Sequence, residues 1–204
     1  MARGFAAVDR FAVEAFILAG GRSQRMGTDK ARLALDGSPL AVILARRIAP
    51  VVARVRLVTK PGEDYDEFGL ECVHDVEPER ALVHGIRAAL AAPGAPWRWM
   101  LACDMPKVGG DVLAELWKTA RAAAAPGSAP RLAGRIDPEP LPSLWHRDLG
   151  AEVRPEWGNA ARDWVAAARL ALWEVPAAGE DRFRNVNTPA DWQAYLAARP
   201  GGMG

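Results

Sequence analysis

Three glycines and three cations crowd into one stretch of the chain, Leu18-Ala-Gly-Gly-Arg-Ser-Gln-Arg-Met-Gly-Thr-Asp-Lys30. Gly20, Gly21 and Gly27 let a backbone take conformations that a side chain forbids and come close to a ligand. Successive exposed amides in such a loop make a concave anion site. Arg22, Arg25 and Lys30 surround it with positive charge. That combination suits a triphosphate, in which each of several oxygens needs a donor or a cation. Spacing excludes two other phosphate loops. A Walker A loop needs Gly-Lys-Ser/Thr after its four-residue gap, and here Thr28 and Asp29 separate Gly27 from Lys30. Gly20-Gly21 cannot be registered on the Gly-x-Gly-x-x-Gly of a dinucleotide site.

Two further segments bring acidic and amide groups. Met100-Leu-Ala-Cys-Asp-Met-Pro106 reads as an apolar strand with Asp104 at its mouth and Pro106 ending it. A carboxylate there is a hard oxygen ligand, suited to Mg²⁺ bridging nucleotide phosphates. In Phe183-Arg-Asn-Val-Asn-Thr-Pro189 an extended backbone turns Asn185 and Asn187 to one face, with Val186 behind. Each amide donates and accepts, which suits a heterocycle edge or a phosphate oxygen. Thr188 and Pro189 read as the N-cap and first residue of a helix. His74-Asp75 follows another apolar run, and His74 is read as a loop histidine.

These groups need a scaffold that brings distant segments together. Strand-like runs are predicted at Val13 to Leu18, Val55 to Thr59, Leu70 to Val73 and Trp97 to Ala102, with weaker ones at Leu141 to Trp145 and Leu172 to Val175. Helices are predicted at Pro39 to Ile48, Ala81 to Ala92, Asp111 to Ala124 and Ala160 to Ala171, the last capped by Asn159, and a final one after Thr188. Pro126 to Pro130 reads as a loop. The alternation predicts an α/β domain with a mostly parallel sheet and helices on both faces. Ligands of such sheets lie beyond the carboxyl ends of the strands, where Gly20, Asp75 and Asp104 all fall.

The 204 residues suit one domain, taken as 15–199, with an extension over 1–14 and a tail over 200–204. A formal charge of +1, from 26 basic and 25 acidic groups, speaks against nucleic acid as a partner. No apolar run approaches the roughly 18 residues of a membrane span, and residues 1–14 lack the apolar core of a signal peptide. A cytoplasmic protein with no membrane partner is expected. Cys72 and Cys103 have no metal-ligand spacing and read as inert thiols. The eight tryptophans read as core and packing residues, and of them only Trp145 and Trp157 lie in a segment that could reach an acceptor.

The glycine-rich segment closely resembles the Leu-Ala-Gly-Gly-x-Ser-x-Arg-Met-Gly-x-Asp-Lys signature of the molybdenum cofactor guanylyltransferase (MobA) family. Cys103-Asp-Met-Pro106 resembles its Cys-Asp-x-Pro, and Asn185-Val-Asn-Thr-Pro189 its Asn-x-Asn-Thr-Pro. Of the family's Gly-Pro-Leu-x-Gly element, Leu82 and Gly85 remain. The resemblance spans Ala15 to Leu196. It implies a Rossmann-like fold of the nucleotide-diphospho-sugar transferase type and transfer of GMP from GTP to the phosphate of molybdopterin, with release of pyrophosphate. It further implies that Leu18, Ala19, Gly20, Gly21 and Asp75 contact the nucleotide. Lys30 and Arg25 would hold its phosphates, Asp104 would hold Mg²⁺, and Asn185 and Asn187 the acceptor. Cofactor-delivery or molybdoenzyme-maturation proteins would be its macromolecular partners. Transfer from CTP or to another phosphorylated acceptor, and nucleotide binding without catalysis, are the competing readings.

Overall fold

The computed structural model describes residues 9–19, 29–35, 37–63, 65–79, 81–157 and 161–198. Strand β1 (Val13–Leu18) leads to a short antiparallel pair, β2 (Ala34–Leu35) and β3 (Ser38–Pro39). Then follow α1 (Leu40–Ile48), β4 (Arg54–Thr59), β5 (Glu71–His74), α2 (Leu82–Ala91), β6 (Trp97–Ala102) and α3 (Gly110–Ala122). The rest comprises β7 (Gly127–Leu132), β8 (Ser143–His146), α4 (Ala161–Ala167), β9 (Ala171–Val175) and α5 (Pro189–Ala197).

Seven strands form one sheet in the order β5-β4-β1-β6-β8-β7-β9. β1 lies between β4 and β6, parallel to both, and β5 is parallel to β4. Consecutive residues of β1, from Val13 to Ile17, are all at most 3% exposed. Side chains of a strand alternate between faces, so burial of every one means the sheet is covered on both. This explains why β1 reads as a continuous apolar run with a single charge, Glu14. That carboxylate, 3% exposed, is paired with Arg56 and with Arg98, and both guanidiniums also stack on Phe16. The cluster sits toward the amino ends of β1, β4 and β6.

Register places the opposite ends level. Leu18 pairs with Val58 on one side and Ala102 on the other, and Thr59 pairs with His74. β8 runs antiparallel to β6 with Ser143 opposite Met100. Its connector from β7, residues 133–142, therefore reaches the same edge.

Three sequence expectations need correction. Pro126 to Pro130 is not a loop, because β7 starts at Gly127. Gly127 is needed there, since a Cβ would stand 2.2 Å from the Leu144 carbonyl oxygen. Pro130 is tolerated because β8 pairs only with Gly127 and Ser128, leaving Pro130 a neighbour on one side alone. The helix expected to reach Ala171 stops at Ala167, where Arg169 turns to a φ of 54° and Ala171 opens β9; Asn159 and Ala160 lie outside the described residues. Pro39 closes the small hairpin and precedes α1 rather than opening it. Among the described residues no helix is long and apolar enough to cross a membrane.

Candidate active site

A cavity of about 350 Å³ opens beyond the carboxyl ends of β1, β4 and β6. Leu18, Val58 and Leu82 give it an apolar end, with Asp75 beside them, and Asp104 and Asn185 lie further along. Gly85 of α2 makes this width possible: a Cβ at that position would lie 2.5 Å from Leu18 Cδ2. Ala19 is 3% exposed and donates its amide to the Val58 carbonyl, continuing the β1–β4 ladder by one step. Asp75 extends the β4–β5 ladder in the same way, its amide donating to Thr59.

At the other end three expected residues meet. Lys30 Nζ donates to Asp104 Oδ2 at 2.8 Å and to Asn187 Oδ1. Val186, between Asn185 and Asn187, ties their segment to Asp104: its amide donates to the Asp104 carbonyl at 2.9 Å. Val186 itself is 2% exposed and acts as the apolar plug of the segment. Thr188 and Asp191 form a reciprocal capping box at the start of α5, and the Asp191 carboxylate also accepts from the Asn187 amide. These bonds hold the Asp191 carboxyl below the usual carboxylate range, the Thr188 bond contributing most.

Lys30 is aimed by its own turn. Asp29 caps residues Lys30–Arg32 by accepting from the Ala31 amide, and its other oxygen accepts from Tyr65 Oη at 2.9 Å. Tyr65 is 4% exposed and lies under the Arg32 guanidinium. Burial first, and the Asp29 carboxylate second, push its hydroxyl well above the ordinary tyrosine range. Gly20, Gly21, Arg22, Arg25 and Gly27 lie outside the described residues.

Mg²⁺ fits the groups present. Asp104 Oδ1 and Asn185 Oδ1 are both buried, and neither has a hydrogen-bond partner among the described residues. Both are hard oxygen donors of the kind Mg²⁺ takes in ones and twos, with phosphates and water completing its shell. Among the described residues no group of three or more His, Cys, Asp or Glu side chains is arranged to hold a metal.

Several positions drew no attention in the sequence. Lys60, Tyr65 and Glu139 are the main ones: Lys60 and Glu139 line the cavity, and Tyr65 supports Asp29. Only the position of Lys60, directly after an apolar strand, carried a signal. Trp145 is a core residue, 1% exposed, with its Nε1 donating to Ser143 Oγ. His74 Nδ1 lies 3.2 Å from Thr59 Oγ1, at the strand ends. Cys103 is buried, which raises its thiol far above the reactive range, and Cys72 is half-buried with its Sγ 3.8 Å from the Leu70 carbonyl oxygen.

A family profile described as the MobA-like NTP transferase domain matches residues 15–172. The chain belongs to the MobA-like NTP transferase family. It is thus a nucleotidyltransferase, and the signature segment and Asp104 both fall inside the matched region. A curated relative from Synechococcus elongatus, named probable molybdenum cofactor guanylyltransferase, is 32% identical over 190 residues, which is 88% of this chain and 96% of that one. The molybdenum cofactor guanylyltransferase of Pseudomonas paraeruginosa is 34% identical over 178 residues, 85% of this chain and 89% of its own. Among solved structures, the molybdopterin-guanine dinucleotide biosynthesis protein A of Archaeoglobus fulgidus superposes with a TM-score of 0.69. At 23% identity, over 89% of this chain and 95% of that one, it shares the MobA-like fold.

Proposed function

We propose that this protein transfers GMP from GTP to the terminal phosphate of molybdopterin and releases pyrophosphate, with Mg²⁺ as cofactor. The observation that carries the reading is that Asp104, held by Lys30, and Asn185 line the same cavity as the apolar Leu18, Val58 and Leu82. The names of the curated relatives support the base and the acceptor. Cys72 and Cys103 form no disulfide, which accords with a reducing compartment such as the cytoplasm.

In this reaction a phosphate oxygen of the acceptor attacks the α-phosphorus of GTP. The new P–O bond forms as the bond to the β-phosphate oxygen breaks, and its electron pair leaves with pyrophosphate. The acceptor is ionised already, so the protein's work is positioning and charge stabilisation. Asp104 and Asn185 would hold Mg²⁺, which when bound neutralises phosphate charge. Lys30 then supplies an ammonium to the departing phosphates, a role that requires it to leave Asp104 or share it. Arg25 is assigned to the same phosphates and Asn187 to the acceptor. The apolar end, with Leu18, Ala19, Gly20 and Asp75, receives the nucleoside, and amides of the glycine-rich segment assist with the phosphates.

The test mixes protein, Mg²⁺, molybdopterin and each of the four ribonucleoside triphosphates and follows pyrophosphate release. Release with GTP, and the largest thermal stabilisation by GTP, are expected. A larger effect of CTP would replace guanine as the base. Binding without release under any combination would make the protein a nucleotide binder instead.

A further inference from the structure

Lys60 follows β4 directly and its side chain is almost buried, 11% exposed, against an Asp75 side chain 7% exposed. Its Nζ stands 2.7 Å from Asp75 Oδ2, and it donates to the carbonyl oxygens of Glu77 and Glu79, each also at 2.7 Å. An ammonium carries three protons and accepts nothing. All three are taken by three acceptors in a segment of five residues. Lys60 therefore lines the cavity without a proton left for a ligand.

Asp75 is differently placed. Its Oδ1 accepts from the Glu77 amide at 3.1 Å and its Oδ2 from Lys60. A carboxylate has about four lone-pair sites, so each oxygen keeps one more. As half of an ion pair it can only accept. A base that satisfies both oxygens must offer two adjacent N–H groups, as the N1 and exocyclic N2 of guanine do. Hypoxanthine lacks the amino group, and adenine and cytosine place an acceptor beside theirs. Recognition of that kind fails if the carboxylate can rotate.

We propose that Lys60 is a specificity-determining positioning residue, whose three bonds to Asp75, Glu77 and Glu79 fix the 75–79 segment and present Asp75 as an oriented acceptor to a base edge bearing two adjacent N–H donors. This rests on the reading above that the apolar end of the cavity receives the nucleoside.

The test compares the full-length protein with Lys60→Met and with the double variant Lys60→Met/Asp75→Asn. Affinity for GTP and for ITP, which differ only by the amino group, is measured with Mg²⁺ present, alongside pyrophosphate release at saturating GTP. Wild type should prefer GTP. Lys60→Met should lose roughly 10–100-fold in GTP affinity, the range for one hydrogen bond to a charged group. Its affinity for ITP should fall less, so that the preference collapses toward unity while turnover at saturation changes little. The double variant leaves no unpaired buried charge and serves as the folded control; it should regain thermal stability but not the preference. A GTP preference that survives in Lys60→Met, or returns in the double variant, would overturn the proposal. So would a wild type indifferent to the amino group, and in that case continued pyrophosphate release would leave the transferase reading intact.

Discussion

Lys30 and Asp104, 74 positions apart in sequence, meet with Nζ 2.8 Å from Oδ2. The contact joins the end of the glycine-rich segment to the mouth of β6. It also leaves the second carboxylate oxygen, Oδ1, buried and without a partner among the described residues. One cation is already in place, and one oxygen is held ready for another.

Lys30→Ala removes a donor that acts on charge developing in the transition state. Turnover should fall about 10²–10³-fold, read as pyrophosphate release at saturating GTP and Mg²⁺. Turnover near wild type would take Lys30 out of the reaction.

Tyr65→Phe tests the support beneath that lysine. Loss of its bond to Asp29 should cost roughly 1–3 kcal/mol of stability and lower turnover severalfold by loosening the Lys30–Arg32 turn. The raised value of the hydroxyl fixes the direction of its pH dependence. The neutral form is the one the fold favours, so its contribution is complete below the ordinary tyrosine range near ~10 and is lost as pH climbs beyond it. Phenolate absorbance should show no difference between wild type and Tyr65→Phe at about pH 10.5 while both are folded; an early difference would mean Tyr65 is not held by Asp29.

Gly85→Ala should narrow the nucleoside end, because the added methyl would drive Leu18 Cδ2 from its place. Overpacking of this size costs about 1–3 kcal/mol. The expected signature is a KM for GTP raised about tenfold with little change in turnover at saturation. An unchanged KM would show that Leu18 does not border the bound nucleoside.

Glu14→Gln should destabilise the fold without touching the chemistry. It leaves Arg56 and Arg98, 1% and 0% exposed, without their shared carboxylate. Breaking such a buried pair costs roughly 3–5 kcal/mol, to be read as a lowered denaturant midpoint. The cluster lies at the opposite ends of the strands from Asp104, so turnover per folded molecule should stay the same.

The parts legible in the sequence were those with strong local grammar. β1 and β6 are apolar runs closed by Ala19 and by Asp104, and the capping box at Thr188 is written in four consecutive positions. What escaped depends on the partner strand or on long reach. Pro126, Gly127 and Pro130 spell a turn, yet β7 forms because the backbone of β8 comes too close to Gly127 for any side chain and leaves Pro130 beside one strand only. In the sequence Lys60 is one charge directly after an apolar strand. Its function shows only when residues 75–79 fold back over it, and no periodicity records that. Tyr65, among polar residues, likewise reveals nothing until Asp29 arrives beneath it.

The amide of Val186, donating to the carbonyl of Asp104, ties the last stretch of the chain to a strand finished some eighty residues earlier. Six of the sheet's seven strands, all but β9, precede residue 147, whereas Asn185 and Asn187 come after all seven. During synthesis the scaffold can thus settle before its chemistry exists. A nascent chain short of this stitch would present a formed cleft lacking both amides, idle until its final segment leaves the ribosome.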